Sequence, residues 1–301
     1  MTTTLDLDAL EIAVQHSLAT GDDSALHILG YGEISSVVAW PRADGPWACK
    51  RLPVFDPPER FDAYRLVFER YLDALTERGI TMHETRLELT TTADGRLAGY
   101  CIQPALPAAM LAPALLRHAE PDQGAALLGE IIEHIATVAC PTIGLDAHLS
   151  NWARHEGRLV YFDVTTPLLR DDHGRDLLDT ELFLASLPAA LRPLVRRFLL
   201  EDILEPYFTP RSSALDLLAN LHRETLGSWV PIGVELANER LGTDISVAEA
   251  NRHYHRDARM WRLLQQLRRL DRSWQRHVRR RPYPFLLPGR IARPRAHQLP
   301  D

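Results

Sequence analysis

Residues Asp146-Ala147-His148-Leu149-Ser150-Asn151, followed twelve residues later by Asp163, combine the side chains best suited to chemistry in this chain. Asp146 can accept a hydrogen bond from a substrate hydroxyl. Asn151 offers an amide oxygen, and Asp163 a carboxylate that can bridge a metal to phosphate; such a donor set, completed by phosphate and water, suits magnesium. Asp163 ends the apolar run Leu159-Val160-Tyr161-Phe162, where an acidic group is costly without a partner. Each residue alone reads equally well as a loop cap, so the signal is the ordered set. His148 is expected to fix the loop by hydrogen bonds, the alternative being a phosphate contact. The other histidines, His253 and His255 included, form no metal-binding pattern.

A cation and a phosphate loop precede this segment. Lys50 is the only lysine of the chain and lies in an apolar stretch, Trp47 to Phe55. Its compact ammonium suits phosphate oxygens; the alternative is a strand-edge lysine. Gly30-Tyr31-Gly32-Glu33-Ile34-Ser35-Ser36-Val37 has two glycines that let backbone N–H groups approach phosphate, with Ser35 where a third glycine would complete the pattern. Taken alone it is equally a hairpin turn. Glu69, nineteen residues after Lys50, is placed by spacing to hold that lysine; it reads otherwise as a solvated helix-face residue.

The elements that must position these groups follow from periodicity. Residues 5–18 have helical spacing. Residues 26–40 and 47–55 read as a three-stranded meander broken by a turn at 41–46. Phe61, Tyr64, Phe68, Tyr71, Leu72 and Leu75 form one stripe of a helix over 58–79. Residues 85–104 read as a hairpin with Gly95 in the turn. Residues 124–140 predict an amphipathic helix. Residues 141–167 read as a loop, a strand, a turn at Glu156-Gly157 and a second strand, and 177–227 and 232–270 as mostly helical. The expected class is α+β: a small sheet-rich lobe over 1–104 and a larger helical lobe over 105–301.

Composition is that of a globular protein, 46% hydrophobic and 25% charged over 301 residues. Cys49, Cys101 and Cys140 are scattered, with no C-x-x-C pair, so neither a zinc site nor a disulfide framework is expected. The acidic N-terminus lacks the basic and apolar regions of a signal peptide, and no stretch is apolar enough for a membrane span. A reduced, cytoplasmic protein is the expectation. Charge is uneven: residues 252–301 hold 14 arginines against three aspartates, a net +11, which leaves −17 on the rest of the −6 chain. A basic helix with Trp261 and Trp274 could meet nucleic acid or anionic lipid. The preferred reading is a helix docked on the body by its Trp/Leu face, so nucleic acid is not the expected partner. A third reading has some of these arginines facing a cleft and holding an acidic substrate.

In this order the motifs resemble the protein-kinase-like fold, and within it the aminoglycoside phosphotransferase and choline kinase branch, whose catalytic loop reads D-x-H-x-x-N as Asp146, His148 and Asn151 do. The likeness covers roughly residues 26–170 and implies a bilobal kinase-like fold. It implies Asp146 as catalytic base, Asn151 and Asp163 as magnesium ligands, and Lys50 on the ATP phosphates and paired with Glu69. It further implies Gly30, Gly32, Ser35 and Val37 around the nucleotide, and adenine at the connector holding Gln103 and Ala105. Three departures stand out: Gly144 two residues before the base, where the branch carries histidine; Ser35; and Val164-Thr165 after Asp163. No Ala-Pro-Glu segment follows, which favours a small hydroxyl-bearing acceptor over a peptide. The resemblance implies an ATP- and magnesium-dependent phosphotransferase. The alternatives are a kinase-like module without turnover that binds nucleotide or a partner, and a protein kinase or nucleotidyl-transferring relative.

Overall fold

The structure is a computed structural model and describes residues 5–31, 36–184, 192–193, 195, 203–280, 283 and 285–286. Helix α1 (Leu7–Thr20) starts where the Asp6 side chain accepts from the Ala9 N–H and stops at Gly21, whose φ of 82° is left-handed. Five strands follow in one antiparallel sheet: β1 (His27–Tyr31), β2 (Ser36–Trp40), β3 (Trp47–Phe55), β4 (Arg86–Thr91) and β5 (Leu97–Pro104), in the order β1-β2-β3-β5-β4. Helix α2 (Glu59–Glu77) lies between β3 and β4 in the chain.

Alternation along the strands divides the sheet residues between two cores. Leu10, Val14 and Leu18 of α1 pack with Val38, Cys49, Tyr100 and Ile102. Phe61, Tyr64, Phe68 and Tyr71 of α2 pack with Leu52 and Phe55 and join a core that continues into the helical part. At Gly99 a Cβ would lie 2.9 Å from the Phe55 ring and 3.2 Å from the Phe61 ring, so only glycine allows that approach. The α1 contact also holds a buried polar cluster. Arg51 donates twice to Glu11, at 2.8 Å each, and the Tyr100 hydroxyl donates to the same carboxylate at 2.5 Å. Burial alone would push the Glu11 carboxyl up, but Arg51 outweighs it and holds it low.

Beyond β5 come α3 (Ala112–Arg117) and α4 (Pro121–Val138), a two-stranded hairpin of β6 (Trp152–His155) and β7 (Arg158–Tyr161), then α5 (Glu181–Leu184), α6 (Pro210–Arg223), α7 (Val230–Leu241) and α8 (Val247–His277). Glu156 and Gly157 both have positive φ, 49° and 78°, as a two-residue hairpin turn requires. Helix α4 buries Leu128, Ile131, Ile132 and Ile135 at the centre of the larger core. No helix among the described residues is long and apolar enough to cross a membrane.

The basic C-terminal helix docks only in part. Tyr254, Ala258 and Trp261 are buried, and Arg276 donates to the Leu18 carbonyl at the end of α1. Beyond Trp261 the buried positions of α8 are Gln265 and Arg268, while Leu263, Leu270 and Trp274 are exposed, so the expected Trp/Leu docking face holds only in part.

Candidate functional site

The segment before Asp146 is fixed through its backbone. Gly144 N–H bonds to the Leu168 carbonyl at 2.8 Å and Leu145 N–H to the Tyr207 carbonyl at 3.0 Å, while the Tyr71 hydroxyl of α2 donates to the Gly144 carbonyl. A Cβ on Gly144 would sit 2.9 Å from Leu168 Cβ and 3.2 Å from Tyr207 Cβ. Any side chain here would force Leu168 or Tyr207 to shift. Farther along, Leu149 N–H bonds to the Asn220 side chain of α6 at 3.0 Å, and the Asp146 carbonyl accepts from both Tyr161 and Asn151 at 3.1 Å.

His148 lies between two carboxylates. Its Nδ1 is 2.9 Å from Asp146 Oδ1, and its Nε2 is 2.9 Å from Asp216 Oδ2 on α6. His253 of α8 reaches the other oxygen of Asp216 at 3.2 Å. Burial disfavours the charged imidazole, but Asp146 and Asp216 together outweigh it and raise its pKa well above the usual histidine value. Asp216 responds in the opposite sense: burial would raise it, and His148 and His253 hold it far below the usual carboxylate range. With a carboxylate oxygen 2.9 Å from each ring nitrogen, the imidazole is placed to donate from both. Asp146, His148 and Asp216 also lie within metal-ligating distance of one another; with both ring nitrogens facing carboxylates, a metal would have to displace a proton from His148. The group is a hydrogen-bonded relay that fixes the orientation of Asp146.

Across the cleft, Lys50 Nζ on β3 donates to Asp163 Oδ1 at 2.6 Å, and Thr165 Oγ1 donates to the same oxygen at 3.1 Å. Burial would raise the Asp163 carboxyl, but the ammonium overrides it and holds the carboxyl below its usual range. Lys50, Asp163, Asp146, Asn151, Gly30 and Val37 all line one cavity of about 290 Å³, near the lower bound of roughly 300 Å³ for small-ligand sites. Its oxygen donors, the Asn151 amide and the Asp163 carboxylate, fit a hard divalent cation such as magnesium.

Several expected placements do not hold or lie elsewhere. Gly32 and Ser35 fall outside the described residues. Glu69 is solvent-exposed and makes no ion pair with Lys50. The aromatic stripe Phe61, Tyr64, Phe68 and Tyr71 takes the inner face of α2, and Glu69, one residue past Phe68, is turned away from it. Lys50 is instead held directly by Asp163. The connector is also engaged internally. The Gln103 amide donates to the Phe162 carbonyl and to Thr85, each at 2.8 Å; the Ala105 N–H bonds to the Pro46 carbonyl; and His83 donates to the Pro104 carbonyl. Those groups do not face the cavity as adenine donors and acceptors.

Residues the sequence reading missed are Tyr64, Thr165, Asp216, His253 and Arg223. Tyr64 donates to the Thr165 carbonyl and lines the cavity. Asp216, Asn220 and Arg223 share one face of α6 at helical spacing, and the first of them interrupts the apolar run around 214–221. That interruption was the available signal. Among the described residues, the arginine lining the cavity is Arg223.

Comparison with known proteins gives a family and remote structural likenesses, among them two kinases. The model described as "Family of unknown function (DUF6206)" matches residues 9–272, and the chain belongs to that family. The Mycobacterium tuberculosis PknI kinase domain, in a point-mutant form, is 15% identical, with 72% of this chain and 94% of that chain covered and a TM-score of 0.28. The MAP kinase LmaMPK10 from Leishmania major is 13% identical, with 82% and 87% covered and a TM-score of 0.30. No curated protein sequence matches.

Proposed function

We propose that this member of the DUF6206 family is a kinase-like phosphotransferase that moves the γ-phosphate of ATP to a hydroxyl of a small molecule, as in the aminoglycoside phosphotransferase and choline kinase branch. One observation carries the reading: an ammonium from the sheet and a carboxylate from the segment after β7 meet at 2.6 Å, in a cavity that Asp146 and Asn151 also line. Phosphoryl transfer demands positioning and charge neutralisation more than covalent help, and these side chains supply both.

In this reading Asp146 takes the acceptor proton as the acceptor oxygen bonds to the γ-phosphorus. The bond from that phosphorus to the bridging oxygen breaks and ADP leaves. His148, protonated and hydrogen-bonded to Asp146 Oδ1, fixes one carboxylate oxygen so that the other can meet the hydroxyl. Lys50 leaves Asp163 for the phosphate oxygens when nucleotide enters. A magnesium ion held by Asn151 and Asp163 would neutralise phosphate charge. Asp146→Ala should abolish phosphate transfer from γ-labelled ATP while nucleotide binding persists; transfer at the wild-type rate by that variant sinks the assignment.

A second reading has its own support. Glu69 is exposed, Lys50 is held by Asp163, and the connector's polar groups are engaged within the chain. Those features fit a nucleotide-responsive binding module without turnover. Stabilisation by ATP that is independent of magnesium, with no transfer to any acceptor, would favour it.

A further inference from the structure

The cavity also has apolar walls: Leu178, Leu182, Ile203, Leu204 and Tyr207 line it, together with the charged side chain of Arg223 on α6. Arg223 has no carboxylate partner among the described residues; its recorded neighbour is the Trp261 ring, 5.9 Å from the guanidinium carbon. Asp179 is paired with Arg60, and Asp176 and Glu205 with Arg170. Among the described residues, the carboxylates lining the cavity are Asp146 and Asp163.

From this geometry we infer that the acceptor is an anionic amphipathic molecule: a hydroxyl at one end, an apolar body, and a carboxylate or similar acid bound by Arg223. The inference rests on the phosphotransferase reading of the cleft and adds the class of acceptor. A half-buried guanidinium beside apolar walls is costly without a counter-charge. Arginine gives an oxyanion two parallel donors, which makes it selective for acids over alcohols. A cationic acceptor meets Arg223 as a like charge.

The test uses three probes of one length and different end charge: ω-hydroxyoctanoate, octanediol and ω-aminooctanol. Their affinities for the full chain are measured by calorimetry without nucleotide, for wild type, Arg223→Gln and Arg223→Lys, with thermal unfolding of each variant as the folding control. The hydroxy acid is expected to bind at least tenfold more tightly than the diol or the amino alcohol. Arg223→Gln should bring the acid to the affinity of the diol and leave the diol unchanged, and Arg223→Lys should keep part of the preference. Equal or tighter binding of the amino alcohol overturns the inference. So does failure of the acid to bind, or unchanged acid affinity in a folded Arg223→Gln. Phosphate transfer from γ-labelled ATP is then read separately. An Arg223-dependent acid preference without transfer leaves the acid site standing and counts against phosphotransfer. Transfer to the amino alcohol but not the acid does the reverse.

Discussion

Replacing Asp216 with asparagine keeps the shape of the relay and removes one charge from it. His148 then retains only Asp146 as a counter-charge, and His253 loses its carboxylate partner. Breaking a buried ion pair by removing one partner costs roughly 3–5 kcal/mol. Here the His148 and Asp216 side chains are 18% and 20% exposed, and asparagine can still accept one hydrogen bond, so about 2–3 kcal/mol is the expected loss near neutral pH. In a chain of this size that lowers the melting temperature by about 5 °C. The pH dependence carries the decisive sign. The raised pKa of His148 means its contribution is complete below 6.5 and is lost as pH climbs through the raised value. The depressed pKa of Asp216 means its contribution is present above 3.8 and is lost as pH falls through the lowered value. The stability gap between wild type and Asp216→Asn should therefore be widest between those two edges and narrow on both sides. Thermal unfolding followed from acid to alkaline pH measures it. A gap that stays constant across that range would refute the charged relay, because it would mean that only packing had changed.

Three further outcomes follow from other parts of the fold. Glu11→Gln leaves Arg51 buried without its charge and should destabilise the chain by about 3 kcal/mol in urea unfolding, whereas a loss below about 1 kcal/mol would mean the α1 clamp is already solvated. Cys49 and Cys101 are buried with thiols pushed up to about 12, while Cys140 is half-buried and held below its usual value against the push of burial by Thr142 and Ile143. A disulfide reagent should therefore modify one thiol of the native chain rapidly, at Cys140, and rapid reaction at Cys49 would contradict the packing of the sheet. Gly144→Ala should be destabilising by about 1–3 kcal/mol in the same unfolding assay, since its Cβ meets Leu168 and Tyr207 backbone-anchored atoms; a neutral result would show that the loop can shift.

The polar residues of the site were legible where they are local in sequence. Asp146, His148 and Asn151 stand within six residues, Asp163 ends an apolar strand, and Lys50 has no other lysine to be confused with. The strands and the amphipathic helices followed from period-2 and period-3.6 patterning, which reports one buried face directly. Facing between elements was not legible. Spacing brought Glu69 to the correct helix, yet the rotation of α2 is set by four aromatic side chains that fill its inner face. The connector looked available for adenine because nothing local reveals that His83, Pro46 and Phe162 would claim its polar groups. Asp216 and Arg223 lie sixty or more residues beyond the motif they serve, so only the tertiary fold joins them to it. Helical spacing puts Trp261 and Trp274 on one docking face, but Trp274 is exposed where Trp261 is buried; spacing alone cannot tell how far a partner surface extends.

The account depends most on Lys50 and Asp163 forming a single phosphate and metal site. Equilibrium binding of ATP by wild type, Lys50→Met and Asp163→Asn, with and without magnesium, tests it most directly. Wild type should bind more tightly with magnesium, Lys50→Met should lose at least about tenfold in affinity, consistent with the loss of a charged hydrogen bond, and Asp163→Asn should lose the magnesium dependence. Unchanged affinity in both variants, or magnesium-independent binding by wild type, would contradict it.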